Sequence, residues 1–435
     1  MSALVAVLLL VSIAPFSAAE EAGAPTWEVG DQWAYGDKVY LEPAVSEMID
    51  ELEAILEESG QATLENIYIN GSVEAYVFCH VAEVTADEYV LRIYVASGFE
   101  AVANIRAVAP VPEAGTYDVW EAIPMDNKTI SVSADIEFMI FEDAMLTLDK
   151  DTFAIKSVTS TTDIDLDMSF SATNLYETEL EGSTKVVTAM NYNIDVELSA
   201  AVNIAVSFDP YLDIFDFPIE EDEVWTVASM MTVTGNITGT FDANGLPEGT
   251  VEELVDPEVG NVQLPLDLST FLGTLGGIEI DNGALTSVTE EISFDMRCNS
   301  IDEVHDDMFG DITVCELWIV EDDDEPGAIF YYSPDVSMFA YAELSSELAD
   351  SEVLPDLGSI SPIDFIPQEN LKVSAMEPTE AAQGIYDVSG VVVSEGVVTD
   401  GDGDGDGGNT TTLIVIGAVA ALAIIVVAAV LLKRK

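Results

Sequence analysis

Residues 186–208 read VVTAMNYNIDVELSAAVNIAVSF, and their alternation decides the fold. Val186, Met190, Tyr192, Ile194, Val196, Leu198, Ala200, Val202, Ile204, Val206 and Phe208 are apolar and stand at even positions, with Thr188 the exception. Asn191, Asn193, Asp195, Glu197, Asn203 and Ser207 stand at odd ones. A period of two puts one set on a buried face and the other in water, which is a strand with one wet side. At ~3.3 Å per residue a straight strand of this length exceeds ~70 Å, so the segment is expected to bend or to break at a bulge near Ser199–Ala201. The same alternation recurs in Ile130, Val132, Ala134, Ile136, Phe138 and Ile140, and in Ile164, Leu166, Met168 and Phe170. Asp163, Asp165 and Asp167 interleave with the latter set and are expected in solvent. Long one-sided strands imply an antiparallel, curved sheet whose apolar side must be covered.

The cover is expected from Glu42–Ser59, read as a helix with an apolar stripe of Val45, Met48, Ile49, Leu52, Ile55 and Leu56. The fold class is therefore β-rich α+β, with curved antiparallel sheets covering a helix. The other side of that helix carries Glu47, Asp50, Glu51, Glu53, Glu57 and Glu58 with no basic partner. It is a local case of a general imbalance, because the chain holds 82 acidic residues and 12 basic ones, a net charge of −70. Nucleic acid is excluded as a partner, since phosphate binding needs the opposite sign. Such a charge also repels itself unless salt screens it, over ~10 Å at 0.1 M and ~3 Å at 1 M. The chain reads as adapted to high salt, the alternative being a merely acidic surface. Disorder is the third option, opposed by the 49% hydrophobic content and the long periodic segments.

Organisation follows from both ends. Leu413–Leu432 is twenty residues without a polar side chain, followed by Lys433-Arg434-Lys435. As a helix it spans ~30 Å, enough for one membrane crossing, and the basic tail places the rest of the chain outside the cell. Leu4–Ile13 followed by Ser17-Ala18-Ala19 reads as a signal peptide over residues 1–19, although no basic residue precedes the apolar run. Between them a first β-rich block is expected over 20–216 and a second over 217–350. The acidic Asp209–Glu223 stretch, with Pro210 and Pro218, marks the boundary. Asn70-Gly71 is expected to be the tight turn of a hairpin joining Leu64–Ile69 to Ser72–Val84. Residues 351–412, broken by Pro355, Pro362, Pro367 and Pro378, read as a stalk.

The segment Trp27-Glu28-Val29-Gly30-Asp31-Gln32-Trp33-Ala34-Tyr35 resembles the opening strand of exported archaeal surface proteins. Phe217-Pro218-Ile219 through Asp222, Val224 and Trp225 resembles a looser second copy of it. Gly310–Cys315 and Tyr331-Tyr332-Ser333-Pro334-Asp335-Val336 resemble the closing strands, with Ser337 where that pattern carries glycine. The resemblance implies a domain similar to the half-barrel of lipoprotein carriers, a curved antiparallel sheet wrapped on a helix. Its motifs are structural and carry no catalytic residue across.

The search for chemistry is mostly negative. His80 and His305 lie in different blocks, and Cys79 and His80, adjacent on a strand, point to opposite faces. No zinc motif or phosphate loop is present, so an enzyme is not expected. Cys298 and Cys315, on the apolar faces of neighbouring strands, are expected to form a disulfide, the alternative being two buried thiols; Cys79 is left over as a buried small residue. Asp400, Asp402, Asp404 and Asp406 resemble the start of a calcium loop that lacks the closing glutamate, since Thr411 stands there. They fit a charged linker, with weak calcium binding beside it. Asn70, Asn127, Asn236 and Asn409 each open a glycosylation sequon. Two functions are compatible with these readings. One is a non-catalytic, membrane-anchored surface protein, structural or adhesive. The other is a binding module holding a lipid or another apolar ligand in the half-barrel.

Overall fold

The computed structural model describes residues 21–22, 26–40, 63–181, 183–245, 280–281, 284–306, 308–320, 326–344 and 371–393. The first strands are β1 (Glu21–Ala22), β2 (Gln32–Tyr40), β3 (Thr63–Val84), β4 (Glu88–Pro112) and β5 (Gly115–Asp118). Then come β6 (Met125–Asp149), β7 (Ile155–Glu181), β8 (Thr184–Leu212), β9 (Ile219–Glu220), β10 (Val224–Asn244) and β11 (Ile280–Asp281). The last are β12 (Ala284–Asp306), β13 (Gly310–Val320), β14 (Pro326–Ser333), β15 (Met338–Leu344), β16 (Leu371–Ser374) and the helix α1 (Pro378–Ser389). Except for the β1–β9 pair, the strands form one 14-stranded open sheet in the order β16-β15-β14-β13-β12-β10-β8-β7-β6-β4-β3-β2, with β5 and β11 beside it. Every pairing is antiparallel. The two ends of the order meet at a single bridge between Tyr35 and Ala375, beside which Met376 N donates to Ala34 O at 2.9 Å.

Bringing the ends together gives the sheet an inner face with a continuous core. Trp33, Cys79, Leu91, Leu146, Val158, Phe208, Val227, Cys298, Leu317, Phe330 and Met338 all join one buried cluster, although they come from strands at both ends of the order. Aromatic rings fill its centre. Trp27 meets Tyr89 and Phe153 edge-on at 5.1 and 5.3 Å, and Phe215 stacks on Phe217 at 5.3 Å.

Three local expectations are corrected. Asn70-Gly71 is not a turn, because β3 runs straight through it with Asn70 opposite Val102 and Gly71 opposite Ala101. Gly71 is buried there and neither residue has a positive φ, so the continuous partner strand overrides the turn preference. Nor does β8 break near Ser199–Ala201. It is 29 residues long, and its register with β7 and β10 is unshifted at that point. Neighbours of similar length keep its backbone paired throughout, so no unpaired stretch favours a break. The irregularity falls in β7, between Ala172 and Leu175, where Asn174 takes φ 61° and its Nδ2 donates to Thr129 O.

The third correction concerns the stalk. Residues 371–393, inside it, belong to the fold: β16 pairs with β15, and α1 packs on the outer face of the sheet. Ala381 and Ile385 are buried against Ala34, Tyr76, Phe78, Tyr94, Ala96 and Phe141. Pro378 opens the helix rather than interrupting a strand, and Gly390, at φ 69°, closes it with its N–H donating to Tyr386 O. The expected signal peptide, the helix of 42–59 and the apolar run 413–432 lie outside the described residues. Among the described residues no helix is long and apolar enough to cross a membrane.

The two sequence copies form the same turn. In the first, Gly30 N donates to Val81 O, Val81 N to Asp31 O, and Glu28 N to the Asp31 carboxylate at 2.8 Å. In the second, Asp222 N donates to Cys298 O, Cys298 N to Glu223 O, and Glu220 N to the Glu223 carboxylate at 3.0 Å. Gly30 and Asp222 occupy the equivalent position, and both have positive φ, 99° and 63°. The motif pieces at the far end of the chain come to the same place. Trp33 Nε1 donates to Val336 O at 3.1 Å and Trp27 Nε1 to Ser337 O at 3.4 Å. Ser337 has φ 63°, the conformation that explains a glycine in the resembled pattern.

Candidate functional site on the outer face

The outer face carries the chemistry that the core does not use. Beside α1 the register lines up four rows of side chains across β6, β7, β8 and β10. They are Met145–Thr159, which continues by way of Ala205 and Thr234; Asp143–Thr161–Asn203–Asn236; Phe141–Asp163–Ala201–Thr238; and Met139–Asp165–Ser199–Thr240. Small residues dominate β7, β8 and β10 in these rows, so the floor is low and the bulkier β6 residues and the end of α1 rise above it. Two adjoining hollows result. One of about 420 Å³ is lined by Arg92, Asp143, Met145, Thr161, Asn203 and Asn236 among others. The other, of about 330 Å³, is lined by Phe141, Asp163, Ser199, Thr238, Ser389 and Val391 among others. Four rows two residues apart make a trough about 20 Å long.

Its upper wall is a closed ion pair. Arg92 Nε and Nη2 donate to the two Asp143 oxygens at 2.9 and 2.6 Å, and the guanidinium lies 5.0 Å from the Tyr94 ring centre. The hydrogen bond to Asp143 raises the Arg92 pKa against partial burial, so the two charges cancel locally. On the floor Thr161 Oγ1 donates to Asn203 Oδ1 at 2.9 Å. Among the described residues no protein group accepts from Asn203 Nδ2. His80 stacks near Tyr94 at 6.2 Å. Burial and then the Arg92 charge hold its pKa below the usual histidine value, and its buried Nδ1 has no partner.

Further along the same strands the outer face changes character. Glu100, Glu137, Asp167 and Glu197 stand directly opposite one another on β4, β6, β7 and β8, and the register continues to Asp242 on β10. Asp135 and Asp195 lie two residues on. The four carboxylates are exposed, and among the described residues none of them has a basic partner within salt-bridge distance.

The residues singled out in the sequence are scattered. Asn70 is exposed in the middle of β3, Asn127 is exposed near the start of β6, and Asn236 is exposed in the trough. Asn409 and Asp400, Asp402, Asp404 and Asp406 lie outside the described residues. Among the described residues no three acidic, histidine or cysteine side chains converge as a metal site would require. Cys298 and Cys315 are neighbours but both are free, as is Cys79, and all three are buried. Cys298 is paired with Leu317 and Cys315 with Ile301, across a register shift. The expected bridge is therefore not formed: the two thiols sit diagonally and share a hydrogen bond, which with burial raises the Cys298 pKa. His305 is exposed and pairs with Asp311 at 2.8 Å.

The sequence reading missed Glu142, which sits on the inner face, 8% exposed, opposite Val95 and Thr162. Burial raises its pKa against a hydrogen bond from Ser160. The signal was a carboxylate at an even position between Ile140 and Ala144. No known protein family matches the chain, and no characterised protein or solved structure matches it either.

Proposed function

We propose that the chain is a non-catalytic extracellular surface protein, structural or adhesive, held by a C-terminal membrane anchor and adapted to high salt. In this reading the sheet is a half-barrel. The observation that carries the salt adaptation is the row Glu100–Glu137–Asp167–Glu197, four carboxylates opposite one another on adjacent strands, none with a basic partner within salt-bridge distance among the described residues. Like charges so placed destabilise a sheet. About 5 Å apart in water they repel by about 0.8 kcal/mol per neighbouring pair before screening. A Debye length near 3 Å at 1 M salt removes most of that cost. The row is therefore tolerable in brine and a liability in dilute buffer.

The ring-filled inner core supports the structural role over a carrier of apolar ligands, because Trp27, Trp33, Tyr89, Phe153 and Tyr332 occupy the space a ligand would need. Circular dichroism over a salt series tests the proposal. The fold is expected to persist at molar salt and to be lost on dilution; melting that does not depend on salt would overturn it.

A further inference from the structure

The upper half of the trough differs from the rest of the outer face in charge, and that difference identifies its ligand; the lower half, beside the end of α1, holds Asp163 and Asp165. The two upper rows hold one carboxylate, Asp143, and that one is neutralised by Arg92. The remainder of those rows is hydroxyl, amide, methyl and one thioether: Thr159, Thr161, Asn203, Ala205, Thr234, Asn236 and the half-exposed Met145. Each class of ligand meets these groups differently. An anion is repelled by a chain of net charge −70. An apolar chain would desolvate threonine hydroxyls, asparagine amides and a guanidinium without pairing them, which costs free energy for each group left unsatisfied. A cation gains little from a neutralised ion pair, and its long-range attraction is screened in strong salt. A neutral polyhydroxylated molecule can pair with the hydroxyls, the amides and the guanidinium while its C–H faces rest on Ala205 and Met145, and its hydrogen bonds do not depend on ionic strength.

We infer that the upper half of this trough binds a neutral oligosaccharide. The upper hollow of about 420 Å³ falls within the range of small-ligand sites, and it suits a short run of sugar residues laid along the strands. Asn203 provides the central contact, since its Oδ1 is fixed by Thr161 and its Nδ2 remains to donate to a ring hydroxyl. Arg92, oriented by both Asp143 oxygens and resting on Tyr94, supplies a planar donor at one end. The floor at Ala205 lets a ring approach the backbone of β8. The inference deepens the adhesive role proposed above by naming what is held, and it rests on that reading.

The test is titration calorimetry of the full chain in detergent at molar salt, with maltotetraose, mannotetraose and cellotetraose as neutral probes and trigalacturonate as the anionic one. At least one neutral probe should bind. Asn203→Ala should weaken it tenfold or more, and Ala205→Arg, which fills the floor, should abolish it, both with unchanged circular dichroism. Raising the salt further should leave the affinity unaltered. Failure of all three neutral probes, equal binding of trigalacturonate, or binding unaffected by both substitutions would overturn the inference. Calorimetry reads binding and the salt series reads stability, so this inference and the reading it deepens fail separately.

Discussion

The turn at Trp27–Trp33 and the turn at Ile219–Trp225 share a hydrogen-bond pattern and almost no residues. Both are anchored at each end by buried side chains, Trp27 and Trp33 in one and Ile219 and Trp225 in the other. Both have an acidic side chain that turns back to a backbone N–H, Asp31 to Glu28 and Glu223 to Glu220. They differ at the left-handed position, where Gly30 pays no steric penalty and Asp222 does. They differ also in what the second tryptophan holds, since Trp33 reaches the 334–337 turn whereas Trp225 donates to Ile214 O at 2.8 Å. What the fold requires is two anchors, one acceptor and one positive φ; the residues that supply them are free to vary.

The largest effects come from the anchors. Trp33→Ala and Trp225→Ala should each cost about 3–5 kcal/mol by chemical denaturation at fixed salt. A harmless Trp225→Ala would break the equivalence of the two turns. Next is the helix packed on the strands that follow the first turn. A Cβ at Gly384 in α1 would collide with the Tyr76 ring on β3, so Gly384→Val should cost about 1–3 kcal/mol by overpacking. The loss should appear as increased protease cleavage near 378–393.

A smaller and more discriminating pair addresses the left-handed position. Gly30→Ala should destabilise by about 1–2 kcal/mol. Asp222→Gly should be neutral or stabilising by less than about 1 kcal/mol, because relieved strain is offset by the lost 3.5 Å contact with Arg297. Equal losses at both sites, read as midpoint shifts, would mean that the turns are held by different forces.

The smallest effect is in the acidic approach to the second turn. Partial burial of a residue that is still exposed, and then the Asp216 and Asp149 charges, raise Asp213 from its ordinary 3.8 to about 6. The folded state then binds this proton more tightly than the unfolded chain does. Its contribution is greatest below about pH 4 and declines as pH rises through about 6. Asp213→Asn should accordingly raise Tm at pH 7.5 and leave it unchanged at pH 3.5.

Much of the fold could be read from residues 186–208, because alternation reports which face is buried without reference to any partner. What could not be read depended on partners. Asn70-Gly71 has the composition of a turn, and only the pairing of β3 with β4 across it shows that it is none. The helix α1 was legible, with Pro378 at its start, Gly390 at its end and Ala381, Ile385 and Val388 on one side. It was overlooked because proline was read only as a breaker. The trough and the carboxylate row could not have been found in the sequence, since each is assembled from several strands whose relative register the alternation leaves open. Asp163, Asp165 and Asp167 were expected in solvent as a group, but the first two are half-buried at the trough and only Asp167 joins the exposed row.

The most direct test of the salt-adapted account is the thermal melt of two proteins over the same salt series, the natural chain and a Glu137→Gln/Asp167→Asn/Glu197→Gln variant. Removing three members of the row should raise Tm in dilute buffer, have little effect at molar salt, and so flatten the salt dependence. A variant whose Tm differs from that of the natural chain by the same amount at every salt concentration would contradict the account.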